Sequence, residues 1–413
     1  MKSKNQGKRI LLLFNTPSLG GGERSFVAQM ESLKALDPLL EFIACIPTIA
    51  GNEDHNRLQE YLFKRLGTIP VLSFPYPRHL YSLSRSGQHA GLKLLFLLFD
   101  VPKTIFNTLP ALFKIRPGEF DVVWANGNKI GFIFFIFLFL TGFKHKFIWH
   151  FRDYPETSGR FSLIWKLFKR DFSMQLYLFG NSNSMCEVLE KIKGKAKVQR
   201  FYNPLGKDFV AIKKSQQYEQ ISQEVKVGIV SMLAPWKGLH TIFMAIALWQ
   251  ERFQAQKNGI KFHIFGENIY KTSGAHSNYQ EQLEQLAKKL GIEDYIVWRG
   301  NCTPSQIFSQ IDLLIHASLR PEPFGRVILE AMASSVPVIS TGLGGAREML
   351  VCQGQLAGSI VPAYHYQQLC NAIEELIFNT DLRMQRLEQG KVSFQKIAEE
   401  FDRDASAILK VIS

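Results

Sequence analysis

Short apolar runs alternate with longer segments of mixed polarity along both halves of the chain. The runs of the first half are Arg9 to Phe14, Glu41 to Cys45, Pro70 to Phe74, Val122 to Ala125, Lys146 to His150 and Leu176 to Gly180. Those of the second half are Val225 to Ser231, Lys261 to Phe265, Tyr295 to Trp298, Ile311 to Ile315 and Val336 to Ser340. Their lengths are typical of buried strands, and helices are expected between them. This alternation predicts βαβ units and parallel sheets.

The pattern starts a second time near residue 225, which indicates two domains. With 413 residues the chain is longer than one hydrophobic core usually supports. A polar segment, Gln216 to Glu224, follows Asn203-Pro204-Leu205-Gly206 and is the expected linker. We therefore predict one Rossmann-like domain at residues 1–207 and a second at residues 208–394.

The composition is that of a globular protein in a reducing compartment. Hydrophobic residues make up 46% of the chain and charged residues 21%. The five cysteines form no CxxC pair, which favours reduced thiols and argues against a structural zinc site. The apolar run Ile10 to Phe14 is too short for the core of a signal peptide. These features predict a cytoplasmic protein.

The basic surplus and the many phenylalanines leave two interpretations open. The net charge is +13, but no nucleic-acid-binding motif accompanies it, so no nucleic-acid partner is expected. Two stretches, Leu92 to Phe99 and Ile130 to Phe143, are rich in apolar residues, and the second is too short to span a bilayer. It is either a helix buried against the sheet or a peripheral contact with the inner face of the plasma membrane. The lysines and arginines that would then meet anionic headgroups are Arg78, Lys93, Lys103, Lys144 and Lys146.

The segment Pro321 to Ala333 carries the strongest chemical signal. Its two prolines exclude a helix at the start, and Gly325 precedes a predicted helix from Val327 to Ser334. Glu322 then lies in a strand-to-helix loop and Glu330 in the helix, roughly 12 Å apart. The helix N-terminus between them is a seat for a diphosphate. A ligand with a polar group on each side of a phosphate bridge fits, and a nucleotide-sugar is such a ligand.

This segment resembles the E-x7-E motif of retaining glycosyltransferases of family four. The resemblance continues through Pro337-Val338-Ile339 and Gly344-Gly345-Ala346-Arg347-Glu348. It implies the GT-B fold, in which two doubly wound Rossmann-like domains face each other across a cleft. It also implies that the last helix, at residues 395–413, packs back onto the first domain.

The resemblance assigns roles to residues of the second domain. Glu330 would hold the ribose hydroxyls, and Glu322 the sugar hydroxyls and the charge that develops at the anomeric carbon. The N–H groups of Phe324, Gly325 and Arg326 would bind the diphosphate together with Lys237. Base recognition is expected at the turn that starts at Arg299.

One departure from the family pattern concerns the phosphate site. Residues 230–238 occupy the place of the family's Gly-Arg-x4-Lys-Gly segment, where Arg and Lys hold the donor phosphates. Lys237 is retained, whereas Met232 stands at the Arg position and Ser231 at the Gly position. Either another cation, Arg326 or Arg299, substitutes, or the reaction is slow or lost.

In the first domain the resemblance points to a glycine-rich loop and to the ends of two strands. Gly21 and Gly22 lie in the loop that, in family members, is near the diphosphate and the acceptor. His150 lies at the end of the fifth predicted strand, where relatives carry a histidine near the donor sugar; a structural role for it stays equally open. The candidates for the acceptor side are Arg152, Asp153 and Asn126.

The sequence therefore predicts a glycosyltransferase that moves a sugar from a UDP- or GDP-sugar to a saccharide or lipid-linked acceptor, with retention. Such a reaction would serve polysaccharide or glycolipid biosynthesis and needs no cofactor and no metal. A sugar-nucleotide epimerase or phosphorylase of the same fold is an alternative. A glycosidase is disfavoured, because it would need its two carboxyl groups about 5 to 9.5 Å apart, which is less than the separation expected for Glu322 and Glu330. The last alternative is a non-catalytic scaffold at the membrane, for which Met232 is the hint.

Overall fold

The computed structural model describes residues 7–48, 54–75, 112–157, 170–207, 224–253, 259–268 and 278–413, and the single positions 110, 165, 166, 168 and 209. The chain divides into two compact units. Unit 1 comprises Met1–Gly206 and Glu400–Ser413, and unit 2 comprises Lys207–Glu399. The division falls one residue before the boundary expected from the sequence, and most of the predicted linker lies outside the described residues.

Unit 1 is built on a parallel sheet. Its described strands are β1 (Arg9–Phe14), β2 (Glu41–Thr48), β3 (Val71–Pro75), β4 (Val122–Asn126), β5 (Lys146–Phe151), β6 (Gln175–Gly180) and β7 (Lys197–Arg200). They lie in the order β3-β2-β1-β4-β5-β6-β7, and every neighbouring pair is parallel. The described helices are α1 (Gly21–Leu36), α2 (Asp54–Leu66), α3 (Asn128–Leu140) and α4 (Asn183–Ile192). The central strands are apolar on both faces because both faces are covered.

Helix α3 contains most of the phenylalanine-rich run, and much of it lies in the core of unit 1. Its buried side chains include Phe134, Phe135 and Phe137, which pack with the sheet residues of the same hydrophobic cluster. Its C-terminal end is the most exposed part, where Phe139 is 39% and Leu140 67% exposed. The run is therefore chiefly a core helix, as one of the two interpretations expected.

Of the remaining residues expected at a membrane, some are described and some are not. Lys146 belongs to β5 and donates from Nζ to the Ile412 carbonyl oxygen over 3.2 Å. The stretch Leu92 to Phe99 and the side chains of Arg78, Lys93 and Lys103 lie outside the described residues. Within the described ranges, no helix has the length and apolar character needed to cross a bilayer.

Unit 2 contains a second parallel sheet. Its described strands are β8 (Val225–Val230), β9 (Ile260–Phe265), β10 (Ile296–Gly300), β11 (Leu313–His316), β12 (Val338–Ser340) and β15 (Ser359–Ile360), in the order β10-β9-β8-β11-β12-β15. A small antiparallel pair is formed by β13 (Val351–Cys352) and β14 (Gln355–Leu356). The described helices are α5 (Leu239–Arg252), α6 (Tyr279–Leu290), α7 (Pro304–Gln310), α8 (Arg326–Ala333), α9 (Ala346–Leu350) and α10 (Tyr366–Phe378). A last helix, α11 (Thr380–Ile412), begins in unit 2 and ends in unit 1.

The end of α11 is held to unit 1 by an ion-pair cluster. The Arg200 guanidinium contacts Asp404 at 3.0 Å and Glu400 at 2.6 Å. The rings of Phe201 and Phe401 stack with centroids 5.4 Å apart. Although burial alone would lower it, the two carboxylates raise the pKa of Arg200, so this cation stays charged.

The described strands follow the predicted runs closely, with a few differences. Strand β7 was not predicted because three of its four residues are polar, which is tolerated at the edge of a sheet. Strands β13, β14 and β15 have two residues each and leave no detectable period in the sequence. Helix α8 starts at Arg326, one residue earlier than predicted.

Candidate functional site

Three loops of unit 2 meet at the carboxyl edge of its sheet. They follow β8, β11 and β12, which are adjacent and parallel, so their ends lie at the same edge. The Leu319 N–H donates to the Trp236 carbonyl oxygen over 2.8 Å, which joins the first two loops. Thr341 joins the second and third: its hydroxyl donates to the Ser318 carbonyl oxygen over 2.7 Å. Ligands of open α/β sheets bind at this edge.

The backbone of Glu322 is fixed by the loop that follows β12. Its N–H donates to the Leu343 carbonyl oxygen over 3.1 Å, and its carbonyl oxygen accepts from the Gly345 N–H over 2.8 Å. This pairing forms a short parallel bridge between Glu322 and Gly344. The carboxylate is therefore carried by a segment with defined backbone geometry, although that segment is a loop.

Lys237 meets Glu322 at the centre of this edge. It ends a 3₁₀ turn, Pro235–Lys237, and is followed by Gly238 with φ of 74°. A Cβ at Gly238 would lie 2.1 Å from the Ala317 carbonyl oxygen, so glycine is required for this close approach. The turn brings Lys237 Nζ to 2.5 Å from Glu322 Oε1, and the two side chains are only 16% and 17% exposed.

The electrostatics of the pair favour a charged carboxylate. Burial alone would raise the pKa of Glu322, but Lys237, followed by His316, holds it below its usual value. Within the described part of the chain, Lys237 Nζ donates to Glu322 alone. Since an ammonium has three N–H donors, two of them remain for a ligand.

Glu330 lies on the helix that follows the Glu322 loop. Helix α8 begins after Gly325, which has φ of 90°. Arg326 Nε donates to Glu330 Oε1 over 2.8 Å, one turn along the same helix. Glu330 is buried, so its carboxylate is held in place by this bond. The Phe324 ring is buried too, which leaves its backbone as the part that could meet a ligand.

The two cations proposed to replace the arginine missing at position 232 differ in surroundings. Arg299 lies at the end of β10, two strands from β8, and its Nε donates to His263 Nδ1 over 3.0 Å. Arg326 follows β11, which is the direct neighbour of β8. Met232 itself is exposed. Arg326 thus lies on the segment that follows the neighbouring strand, whereas Arg299 lies two strands away.

His150 lies in the core of unit 1. Its ring is fully buried among aromatic side chains, stacks on Phe201 and makes edge contacts with Phe26 and Phe179. Among the described residues neither ring nitrogen has a hydrogen-bond partner. Burial, followed by the charge of Arg152, holds the pKa of His150 well below its ordinary value. The structure gives this histidine packing contacts, and we assign it no chemistry.

Arg152 and Asn126 belong to one hydrogen-bond network. The guanidinium donates to Asn126 Oδ1 at 2.5 Å, to Asn203 Oδ1 at 2.6 Å and to Gln29 Oε1 at 2.7 Å. Burial lowers the pKa of Arg152 to about 9, against the opposing influence of Glu23, so it stays protonated at neutral pH. These internal bonds occupy donors that the sequence had assigned to the acceptor side.

The remaining candidates of unit 1, Gly21, Gly22 and Asp153, lie at the surface of the unit. Gly21 and Gly22 form the first residues of α1, and a Cβ added at either would meet no atom within 4 Å in the described structure. The glycines therefore leave room above the helix N-terminus rather than prevent a clash within the protein. Asp153 is exposed beside Asn128, which donates to its carbonyl oxygen over 2.8 Å.

Sequence reasoning missed several polar residues at these edges. In unit 2 they are His316, Ser318, Ser340 and Thr341, and in unit 1 Gln29. His316 and Ser340 are the last residues of two apolar strands, and a polar residue at such a position is a signal that could have identified them.

Comparison with known proteins finds relatives for the part of the chain that contains this edge of the unit 2 sheet. Residues 211–392, less than half of the chain, match the family model described as glycosyl transferases group 1, so unit 2 carries a domain of that family. A D-inositol 3-phosphate glycosyltransferase of Corynebacterium jeikeium is 29% identical over 161 residues, which are 38% of this chain and 36% of the relative. A GDP-mannose-dependent alpha-(1-6)-phosphatidylinositol monomannoside mannosyltransferase of Mycobacterium tuberculosis is 25% identical over 171 residues, 39% of this chain and 40% of the relative. The chain thus spans little more than a third of the length of these curated relatives.

The whole chain resembles solved structures in its fold. Anabaena HepE, solved in complex with UDP-glucose, superposes with a TM-score of 0.71 and 22% identity over 97% of this chain and 99% of that one. At this identity the likeness shows the fold alone. Together with the two parallel sheets, it makes the fold GT-B, as the sequence predicted.

Proposed function

We propose that this chain, whose second unit carries a glycosyl transferases group 1 domain, is a retaining glycosyltransferase that uses a nucleotide-sugar donor. The observation that carries the proposal is the Lys237–Glu322 pair at the carboxyl edge of the unit 2 sheet, with Glu330 on the helix that follows. This edge combines the ammonium of Lys237, the charged carboxylate of Glu322 and a second carboxylate, that of Glu330, on the helix after the Glu322 loop. These are the groups that the diphosphate, the sugar and the ribose of one ligand require.

The donor would bind to unit 2 through its diphosphate, its ribose and its sugar. The ammonium of Lys237 and the backbone N–H groups at the start of α8 bind the diphosphate, since a helix N-terminus attracts anions. Glu330 accepts hydrogen bonds from the ribose hydroxyls. Glu322 accepts hydrogen bonds from the sugar hydroxyls and stabilises the positive charge that develops at the anomeric carbon.

Arg326 is proposed as the second cation of the phosphate site. In the structure its Nε donates to Glu330. In the donor complex Glu330 would contact the ribose and Arg326 the diphosphate. A guanidinium has five N–H donors in a planar fork, so one arginine can contact a carboxylate and phosphate oxygens at the same time. This compensates for Met232.

In the proposed reaction the bond between the anomeric carbon and the phosphate oxygen breaks, and the nucleoside diphosphate leaves. The acceptor hydroxyl forms the new bond on the same face, and its proton passes to the departing phosphate oxygen. Lys237 and Arg326 neutralise the charge on the leaving group, so no metal is required for this purpose. Activity should survive EDTA, and an absolute requirement for Mg²⁺ or Mn²⁺ would count against this phosphate site.

The acceptor is proposed to be a saccharide or a lipid-linked sugar at an anionic membrane. The support is the exposed aromatic end of α3 beside Phe113, which is 59% exposed, with Lys144 close by in sequence. Apolar insertion would give salt-resistant binding, and each lysine would add about 1 kcal/mol that salt weakens. Flotation with anionic and zwitterionic vesicles at low and high salt tests this, and no flotation under any condition would favour a soluble acceptor.

The test of the proposed function is a donor screen that measures released nucleoside diphosphate. UDP- and GDP-sugars are each offered with a saccharide acceptor, a lipid-linked acceptor or no acceptor. A transferase releases nucleoside diphosphate with an acceptor and gives a product of retained anomeric configuration. An epimerase would convert the donor without acceptor, and a scaffold would release none and need not bind UDP or GDP.

A further inference from the structure

A buried histidine lies directly behind the proposed catalytic carboxylate. His316 is the last residue of β11 and pairs in register with Ser340, the last residue of β12. Its ring is buried, with Nδ1 at 3.1 Å from Ser340 Oγ and Nε2 at 3.8 Å from Glu322 Oε1. The ring therefore lies between a serine hydroxyl and the carboxylate that Lys237 also contacts.

The surroundings of His316 favour the tautomer that carries its proton on Nε2. The Gly342 N–H donates to Ser340 Oγ over 3.1 Å, which leaves the serine proton available to donate to His316 Nδ1. The opposite tautomer would turn the lone pair of Nε2 toward the anionic Glu322. Burial, followed in effect by Lys237, lowers the pKa of His316 to about 4 despite Glu322, so the ring is neutral at pH 7. A neutral ring with Nδ1 as acceptor carries its proton on Nε2, facing the carboxylate.

At 3.8 Å this N–H does not yet bond to Glu322, and Lys237 occupies the same oxygen at 2.5 Å. A diphosphate would draw the ammonium of Lys237 toward itself. The imidazole is then the donor in place to take over the oxygen that Lys237 gives up.

We propose that His316 is a positioning residue for Glu322: its Nε2–H holds the carboxylate toward the sugar once the diphosphate has engaged Lys237. This inference rests on the proposed function and adds a residue to it. The bond forms when the diphosphate draws Lys237 away, and it then orients Glu322 toward a sugar that UDP and GDP lack. Its loss should therefore reduce kcat by more than it weakens nucleotide binding.

Two substitutions separate the two ends of the ring. His316→Gln places an amide N–H near the position of Nε2 and keeps a donor for Glu322. His316→Asn keeps polar atoms near Nδ1 and loses that donor. We expect the asparagine variant to lose about 10-fold or more in kcat, because a hydrogen bond to a charged group is removed, and the glutamine variant to lose much less. The acid limb of the kcat–pH profile should move to higher pH in His316→Asn, since Glu322 loses a donor.

Ser340→Ala is a second variant that leaves the imidazole in place. It removes the proton that keeps Nδ1 an acceptor, so we expect a smaller loss in kcat than in His316→Asn. The dissociation constant for UDP or GDP, measured by calorimetry, should change by less than kcat does. If the parent is active and His316→Asn has the same turnover as the parent, the role of His316 is wrong while the proposed function stands. Equal losses of nucleotide binding and of thermal midpoint in both His316 variants would also overturn it, because they indicate a structural role. A parent that neither binds these nucleotides nor transfers sugar overturns the proposed function and the inference together.

Discussion

Removing the charge of Glu322 should strengthen nucleotide binding while it weakens catalysis. In the structure this carboxylate holds Lys237: Glu322 Oε1 and Lys237 Nζ are 2.5 Å apart and largely buried, so a phosphate would have to compete with the carboxylate for the ammonium. Two unit charges 4 Å apart interact with about 4 kcal/mol at an effective dielectric constant of about 20. Desolvation offsets most of that energy, so releasing Lys237 to a diphosphate should gain about 1 to 2 kcal/mol.

The assay is isothermal titration of UDP and GDP into the parent and into Glu322→Gln. We expect the nucleotide that the parent binds to bind the variant roughly 5- to 30-fold more tightly. Glu281→Gln is the matched control: it makes the same change of charge on an exposed position of α6 and should leave the affinity as it was. Weaker binding by Glu322→Gln would refute the reasoning, because it would mean that the carboxylate does not compete with the phosphates.

Three further outcomes are expected. Glu330→Ala should lower turnover at least about 100-fold and also weaken nucleotide binding, because the ribose loses its acceptor; parental values in both assays would remove Glu330 from the site. Met232→Arg should leave nucleoside diphosphate binding unchanged, because Arg326 is proposed to fill the role of the missing cation; tighter binding by about 1 kcal/mol would show that the role is unfilled. The pKa of His316 is lowered from 6.5 to about 4, so the folded protein binds fewer protons than the unfolded chain in that window and loses stability as pH falls through it. The loss is at most about 3 kcal/mol, and urea unfolding of His316→Asn should show a shallower decline than the parent; equal slopes would contradict the shift.

Much of the fold could be predicted because the strands are apolar on both faces. Runs such as Leu11 to Phe14 are recognisable from composition, since helices cover both sides of a parallel sheet. The same property hides the direction of individual side chains. In β5 nearly every residue is buried, so no alternation in the sequence could have shown that His150 points into an aromatic core.

The candidate site, too, could be predicted only in part. Glu322, Lys237 and Glu330 were identified from motifs within one loop or helix, where spacing along the chain determines position. Their direct pairing, and the partners of Arg152, depend on segments far apart in sequence: Gln29 lies 123 residues from Arg152. Contacts of that kind come from the fold, and the sequence contains no local signal for them.

Glu322 is proposed to stabilise the sugar while it is transferred. This role is tested most directly by turnover of the parent and of Glu322→Gln with the donor that the screen selects, measured as released nucleoside diphosphate at saturating donor and acceptor. We expect the variant to lose at least about 100-fold, equivalent to about 2.7 kcal/mol of transition-state stabilisation, while it still binds the nucleotide. Equal turnover by the two proteins would contradict the account.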